Sequence, residues 1–266
     1  MNRTVRDKGI SVILPTLNEA KNLSFLVPEI IMEFENLGIH QFEILVIDDQ
    51  STDNTKETIS NLQLDSKKIF LISRKGNKSL PLSILDGINN SKYGIVAWLD
   101  ADGSMPSSTL VKLAQKVLVD DEKVYIGSRF VQNGGYKGNS EANKNMISSL
   151  KNIYKSEDSI LAVFLSKIFN NILTNIINLG VRDVTSGFIA LNKKYINNHV
   201  FNSASYGDYF ILLLKDLKSQ NLVINEIGYI CLTRKYGASK SGTSFIQLLK
   251  RSIPYFKASF LTYNKL

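Results

Sequence analysis

The sequence predicts an α/β fold built on a mostly parallel sheet flanked by helices. Three observations carry that expectation. Short apolar runs recur, and each stops at polar or acidic residues. Segments with apolar residues at three- and four-residue spacing separate those runs. The two patterns alternate four times in the first ~100 residues, as parallel strands joined by helical crossovers require.

The first run, Ser11 to Leu14 (SVIL), reads as a buried strand ending at Pro15. Helical periodicity follows through Leu23, Leu26, Val27, Ile30, Ile31 and Phe34, and Pro28 is expected to kink or split that helix. Phe42 to Ile47 (FEILVI) is the second strand and stops at Asp48 and Asp49. Ser51 or Thr52 is expected to cap the next helix, with Asp53 in its first turn. Ile69 to Ile72 forms the third strand, Ser83 to Asn90 a short helix, and Ile95 to Leu99 the fourth strand.

Beyond these units, Lys123 to Ser128 (KVYIGS) reads as a further strand, and the polar stretch Gln132 to Lys155 as a loop with one weak helix. Ser159 to Leu179 predicts a long amphipathic helix stopped by Gly180. Phe188 to Leu191 and Leu222 to Thr233 are strand-like, with a helix from Tyr209 to Leu217 between them. From Ser244, apolar Phe245, Leu248, Leu249, Ile253, Phe256 and Phe260 share a helical wheel with Lys250, Arg251 and Lys257. The expected organisation is therefore one domain over residues 1–243 and a basic amphipathic helix over 244–266. That helix suits either a membrane surface or packing on the domain, kinked at Pro254.

Composition narrows the function. A chain of 266 residues buries a substantial core. Its single cysteine, Cys231, excludes an internal disulfide framework and a cysteine-based zinc site, so a reducing compartment is expected. The N-terminus lacks the apolar run of a signal peptide, and no stretch reaches roughly 18 consecutive apolar residues, which predicts a soluble or peripheral protein. The formal charge is +8, with no Asp or Glu after Glu226. Such a basic block points to an anionic partner: phosphate, membrane surface or nucleic acid.

In parallel α/β sheets ligands bind beyond the carboxyl ends of the strands. Here those ends carry Pro15 to Glu19, then Asp48 and Asp49, then Asp100 and Asp102 in WLDADGSMP. Residues two apart on a strand share a face, so the last two carboxylates repel each other. A magnesium or manganese ion bridging them to phosphate oxygens relieves that repulsion; a helix cap with a surface turn is the bland alternative.

The segments SVILPTLNEAKNL, EILVIDDQSTDNT, AWLDADGSMP, IGSRF, VRDVTSGF and RKYGASKSG resemble, in order and spacing, those of glycosyltransferase family 2. Within it they resemble the branch of dolichol-phosphate mannose synthase and bacterial polyprenyl-phosphate glycosyltransferases. The resemblance spans about residues 10 to 245 and implies a GT-A fold, in which a Rossmann-like sheet binds a nucleotide-sugar. It implies that Pro15, Leu17, Glu19, Ile47 and Asp49 line the nucleoside pocket, with Asp49 accepting from base or ribose. Asp100, Ala101 and Asp102 would hold diphosphate and Mg2+ or Mn2+, the two aspartates being the metal ligands. Asp48 reads equally as a functional or a turn residue.

The same resemblance bears on the acceptor. Alcohol acceptors need a general base, whereas a lipid phosphate is already anionic and needs cations to hold it. This chain shows TSGF where alcohol-using members commonly carry an acidic dipeptide. Arg129 and Lys167 then match acceptor-phosphate ligands, Ser186 a hydroxyl donor, and Arg234 with Lys240 a loop closing over the diphosphate; Asp102 and Arg129 are the catalytic residues. Asp183 is expected to pair with Arg182 to fix its loop, the alternative being a base.

The implied reaction is direct, inverting displacement of a nucleoside diphosphate (from GDP-mannose or a UDP-hexose) by a polyprenyl phosphate oxygen. The implied setting is the cytoplasmic face of a membrane, with a membrane-anchoring subunit as a further expected partner. Transfer to a saccharide hydroxyl in capsule or lipopolysaccharide synthesis is the alternative, and a nucleic-acid-binding role a remote one. Three places depart from the family pattern, one of them Ser104, where many relatives carry Gln. Ser79 to Ser83 (SLPLS) replaces a glycine-rich stretch, with Pro81 expected to stiffen a loop, and Leu17 replaces an aromatic residue.

Overall fold

The computed structural model describes residues 9–137, 160–234, 236 and 245–260. The first half follows the predicted alternation: β1 (Ile10–Thr16), α1 (Ala20–Asn36), β2 (Phe42–Asp48), α2 (Thr55–Asp65), β3 (Ile69–Ser73), α3 (Leu80–Asn90), β4 (Ile95–Trp98) and α4 (Ser107–Val119). Then come β5 (Lys123–Ser128), β6 (Gly135–Tyr136), α5 (Ile160–Ile177), β7 (Ile189–Asn192), α6 (Asn198–Ser203), α7 (Tyr209–Ser219), β8 (Val223–Gly228), β9 (Ile230–Cys231) and α8 (Phe245–Phe260).

Among the described residues the main sheet has seven strands in the order β3-β2-β1-β4-β7-β5-β8. Only β7 runs antiparallel to its neighbours. Every position of β1, β2 and β4 is buried, on both faces, which is why these strands read as unbroken apolar runs. One face carries Leu23, Val27, Ile30 and Phe34 of α1 against β1 and β2; the other carries Trp98, Phe201 and Phe210. Gly87 of α3 lies where an added Cβ would meet the Ile13 side chain at 2.4 Å, so this helix sits directly on β1.

Several local expectations are corrected. Pro28 lies inside a continuous α1, and Pro81 sits in the first turn of α3, where its missing N–H costs nothing. The cap of α2 is Asn54, not Ser51 or Thr52. The Leu222 to Thr233 run divides at Tyr229 into β8 and β9, and β9 leaves the main sheet to pair with β6. Helix α3 begins at Leu80 and α7 ends at Ser219, each a few residues beyond the sequence limits, as fraying helix ends do. Apart from β6, most of the Gln132 to Lys155 stretch lies outside the described residues.

The topology fixes where a site can form. Trp98 pairs with Ile189, Ile126 pairs with Ile189, and Ser128 pairs with Gly228. The carboxyl ends of β1, β2, β4, β5 and β8 therefore share an edge with the amino end of β7. WLDAD, IGSRF and VTSGF, distant in sequence, meet there.

Candidate active site

The end of the cleft expected to take the nucleoside is laced together by loops that follow β1 and β2. Asn18 donates its backbone N–H to Ser51 (2.8 Å) and accepts from the Thr52 N–H (2.7 Å). Asp53 accepts from the Ala20 N–H at the start of α1 (3.0 Å) and from both the Thr55 N–H and hydroxyl. These bonds hold the Asp53 carboxyl below its ordinary range against the opposing effect of burial. Asn18 and Gln50 take left-handed backbone angles (φ 55° and 64°), a local cost concentrated where the two loops meet.

Pro15 and Ile47 are buried register partners beneath these loops, and Leu17 and Glu19 are half-buried at the rim. Asp49 is engaged on both oxygens: Oδ1 accepts from Arg74 and Oδ2 from the Ser79 N–H (2.6 Å). Arg74, buried and also bonded to Asp86 (2.7 Å), belongs to this end of the cleft. It escaped the sequence reading, although its position just past β3 obeys the same strand-end rule. Asp48 accepts from the Ser51 N–H through Oδ1, while Oδ2 is buried without a hydrogen bond.

At the centre lie Asp100, Ala101 and Asp102. The turn closes through Gly103 (φ 75°), an angle that glycine takes without strain. Asp102 accepts from the Ser104 N–H through Oδ1 (2.8 Å), and its Oδ2 forms an ion pair with Arg234 (2.7 Å). Burial raises the Asp100 carboxyl to about 7, and Asp102 adds to that effect; Arg234 and Arg129 oppose it, and Glu19 reinforces it. One electrostatic neighbourhood thus contains five residues the sequence singled out.

The third wall is the turn before β7. Asp183 is fully buried and binds Arg129 twice: Nε to Oδ2 (2.9 Å) and NH2 to Oδ1 (2.8 Å). The expected Arg182–Asp183 pair is therefore corrected, since Arg129 and not its sequence neighbour is the partner. Asp183 also accepts from the Arg129 and Thr185 backbone N–H groups. Glu226 of β8 accepts from the backbone N–H of Arg182 (2.8 Å) and Asp183 (3.1 Å), and Asn170 of α5 holds the Arg182 carbonyl and the Val184 N–H. The Arg129 guanidinium lies 5.3 Å from the Phe130 ring centre and 5.8 Å from that of Tyr136. Its NH1 has no hydrogen-bond acceptor among the described residues.

Next to this turn, the Ser186 hydroxyl is buried beside the Tyr229 hydroxyl, without a well-formed hydrogen bond among the described residues. Beneath it, the Tyr209 hydroxyl accepts from Trp98 Nε1 (3.2 Å) and donates to the Gly187 carbonyl (3.4 Å), tying the acidic turn to the TSGF turn. Lys167 is exposed on α5, one residue from Ser166, which bonds Tyr136 (3.1 Å). Lys240 lies outside the described residues.

The carboxylates fit a magnesium or manganese ion by the chemistry of the donor set. Asp100 and Asp102 supply two hard oxygens, and such ions commonly take their remaining ligands from phosphate and water. Among the described residues no cluster of three His, Cys, Asp or Glu offers a complete protein cage. A guanidinium already faces Asp102, so the position accommodates positive charge.

The sequence profile of glycosyl transferase family 2 matches residues 11–200. The chain belongs to this family. It is 28% identical over 243 residues to a dolichol-phosphate mannosyltransferase of Pyrococcus furiosus, covering 91% of this chain and 62% of that protein. A dolichol-phosphate mannosyltransferase of Saccharomyces cerevisiae is 24% identical over 247 residues, covering 91% of this chain and 84% of its own length. Glucosyl-3-phosphoglycerate synthase from Mycobacterium tuberculosis, crystallised with Mn2+, uridine diphosphate and its product, superposes with a TM-score of 0.62 at 15% identity. That alignment covers 97% of this chain and 83% of the other, and it establishes the GT-A architecture of this family 2 protein.

Proposed function

We propose that this protein transfers a hexosyl group, with inversion, from a nucleotide-sugar to a polyprenyl phosphate. The observation that carries the reading is the state of Asp183. It is the carboxylate nearest the TSGF turn, and it is buried with both oxygens committed to Arg129 and Thr185. With both oxygens already occupied, Asp183 presents no open position to an acceptor hydroxyl, which favours an acceptor that arrives already ionised.

Each wall then has a role. Pro15, Leu17, Glu19, Ile47 and Asp49, with Arg74 behind Asp49, hold the nucleoside. Asp100, Ala101 and Asp102 receive the diphosphate, with Arg234 and Lys240 as its cationic partners. NH1 of Arg129 and the unpartnered Ser186 hydroxyl are available to phosphate oxygens, and Lys167 adds charge from α5. An acceptor oxygen bonds to the anomeric carbon as the bond from that carbon to the diphosphate oxygen breaks, and the electron pair leaves with the nucleoside diphosphate. Asp100 and Asp102 would hold a divalent cation, which when bound would supply Lewis-acid stabilisation of that departing charge. The names of the Pyrococcus and yeast relatives favour a mannosyl donor; GDP-mannose and UDP-hexoses are the pair to distinguish.

Among the described residues no helix is long and apolar enough to cross a membrane. Helix α8 packs on α5, with Phe169 meeting Tyr255 and Phe256 edge to face, while Ile168, Ile172, Ile176, Ile253 and Phe260 remain exposed beside Lys167 and Lys257. This face suits a peripheral seat on an anionic cytoplasmic leaflet, where the acceptor resides.

The test is transfer of labelled sugar from a panel of nucleotide-sugars to polyprenyl phosphate, with and without Mg2+ or Mn2+, and with Asp102→Asn as control. Lipid-soluble product that requires metal and disappears in the control is expected. Product that ignores both metal and substitution refutes the proposed centre.

A further inference from the structure

The Asp102–Arg234 pair belongs to a short strap across the cleft. The strap starts where the Leu232 N–H donates to the Ser104 carbonyl (2.8 Å), two residues past Asp102. Its other end rests on α1. The Tyr236 ring stacks on Phe25, with centres 5.9 Å apart and planes 14° apart, and Lys21 lies 5.7 Å from the same ring centre. Asn22 donates to the Tyr236 carbonyl (3.1 Å) and to Glu19 (2.7 Å). Arg234 hangs between these anchors and reaches one oxygen of Asp102.

That oxygen is the one a cation needs. Oδ1 of Asp102 is turned to the Ser104 N–H, so Oδ2, held by Arg234 at 2.7 Å, is the more available ligand atom. A Mn2+ or Mg2+ ion approaches a carboxylate oxygen to about 2.1 Å and repels a guanidinium at the same atom. The two cations therefore exclude each other at this oxygen.

We infer that Arg234 is the resident counter-cation of Asp102, exchanged for the divalent ion when the site loads and released into the cleft for the donor diphosphate. The inference rests on the reading of Asp102 as a metal ligand. Its distinct content is competition. The strap's backbone anchors at Leu232 and Tyr236 do not involve Arg234's side chain, so the guanidinium leaves Asp102 without leaving the cleft. A freed arginine binds phosphate oxygens in pairs. By linkage, whatever draws Arg234 from Asp102 strengthens the cation, so diphosphate and cation favour each other beyond their direct contact.

Mn2+ binding without nucleotide, followed by electron paramagnetic resonance of the free ion, tests this on wild type, Asp102→Asn, Arg234→Gln, Arg234→Lys and Tyr236→Ala. Circular dichroism checks that each is folded. Arg234→Gln is expected to bind Mn2+ about five- to tenfold more tightly than wild type, as removal of a partly exposed competing pair implies. Arg234→Lys stays near wild type, and Tyr236→Ala, which loosens the strap while sparing both partners, falls between. Equal or weaker binding by Arg234→Gln overturns the exchange while a weakened Asp102→Asn still supports the metal site. Mn2+ binding that Asp102→Asn leaves unchanged removes the site and the inference together.

Discussion

Two Asp–Arg pairs face each other across this cleft, and they are built differently. Asp183 and Arg129 are joined by two bonds, with the aspartate side chain fully buried and the arginine 14% exposed. Asp102 and Arg234 share a single ion-pair contact, and the arginine is 25% exposed on a strap held mainly at its ends. The first pair fixes a turn; the second is positioned to come apart. Burial and bond number, not residue identity, separate a structural ion pair from an exchangeable one.

Asp102→Asn should give the largest functional effect and a small structural one. Transfer is expected to fall by about 100-fold or more, as loss of a group that stabilises developing charge does, with the thermal midpoint nearly unchanged. Product assays beside thermal unfolding check both halves. Asp183→Ala reverses the balance: it leaves the buried Arg129 unpaired, and urea unfolding should reveal a loss of about 3–5 kcal/mol. A change below ~1 kcal/mol would break the distinction between the two pairs, because it would make the buried pair behave like a surface one.

Ser186→Ala sharpens the contrast within the TSGF turn. Removing a buried hydroxyl that has no partner should leave stability unchanged or raise it by up to about 1 kcal/mol, while weakening the acceptor. Steady-state kinetics should register the loss in the KM for polyprenyl phosphate, with donor KM unaffected. A further effect concerns Asp100, in protein treated with chelator. Its folded-state carboxyl is raised to about 7, so its protonated form is favoured by folding. The resulting stability is complete below the ordinary carboxylate value and is lost as pH rises through about 7. Asp100→Asn should therefore raise the thermal midpoint at pH 8 relative to wild type, with the gain shrinking toward pH 4.

Much of the proposed donor side is legible in sequence because it is local. The ends of β1, β2 and β4 follow directly from their apolar runs, and Asp100 and Asp102 are two residues apart on one corner. Arg74 is an instructive miss: it sits immediately after β3, yet its role depends on Asp49 folding back toward it. The wrong cap for α2 has a similar cause, since Asp53 spends its oxygens on Thr55 and on Ala20 of the preceding loop. The proposed acceptor side is less legible. Arg129 meets Asp183 across 54 positions, and Glu226 supports the same turn from another strand. No periodicity encodes such pairings; the adjacent Arg182 was the natural but mistaken partner.

The sequence by itself determined the parallel α/β plan, the acidic strand end and the family, because each depends on short-range pattern: runs of buried strand residues, crossover periodicity and motifs of a few positions. Tertiary structure decided which charges are spent and which are available. That outcome depends on burial and on partners brought together by the reversed strand β7, which carries the TSGF turn to the edge where WLDAD ends.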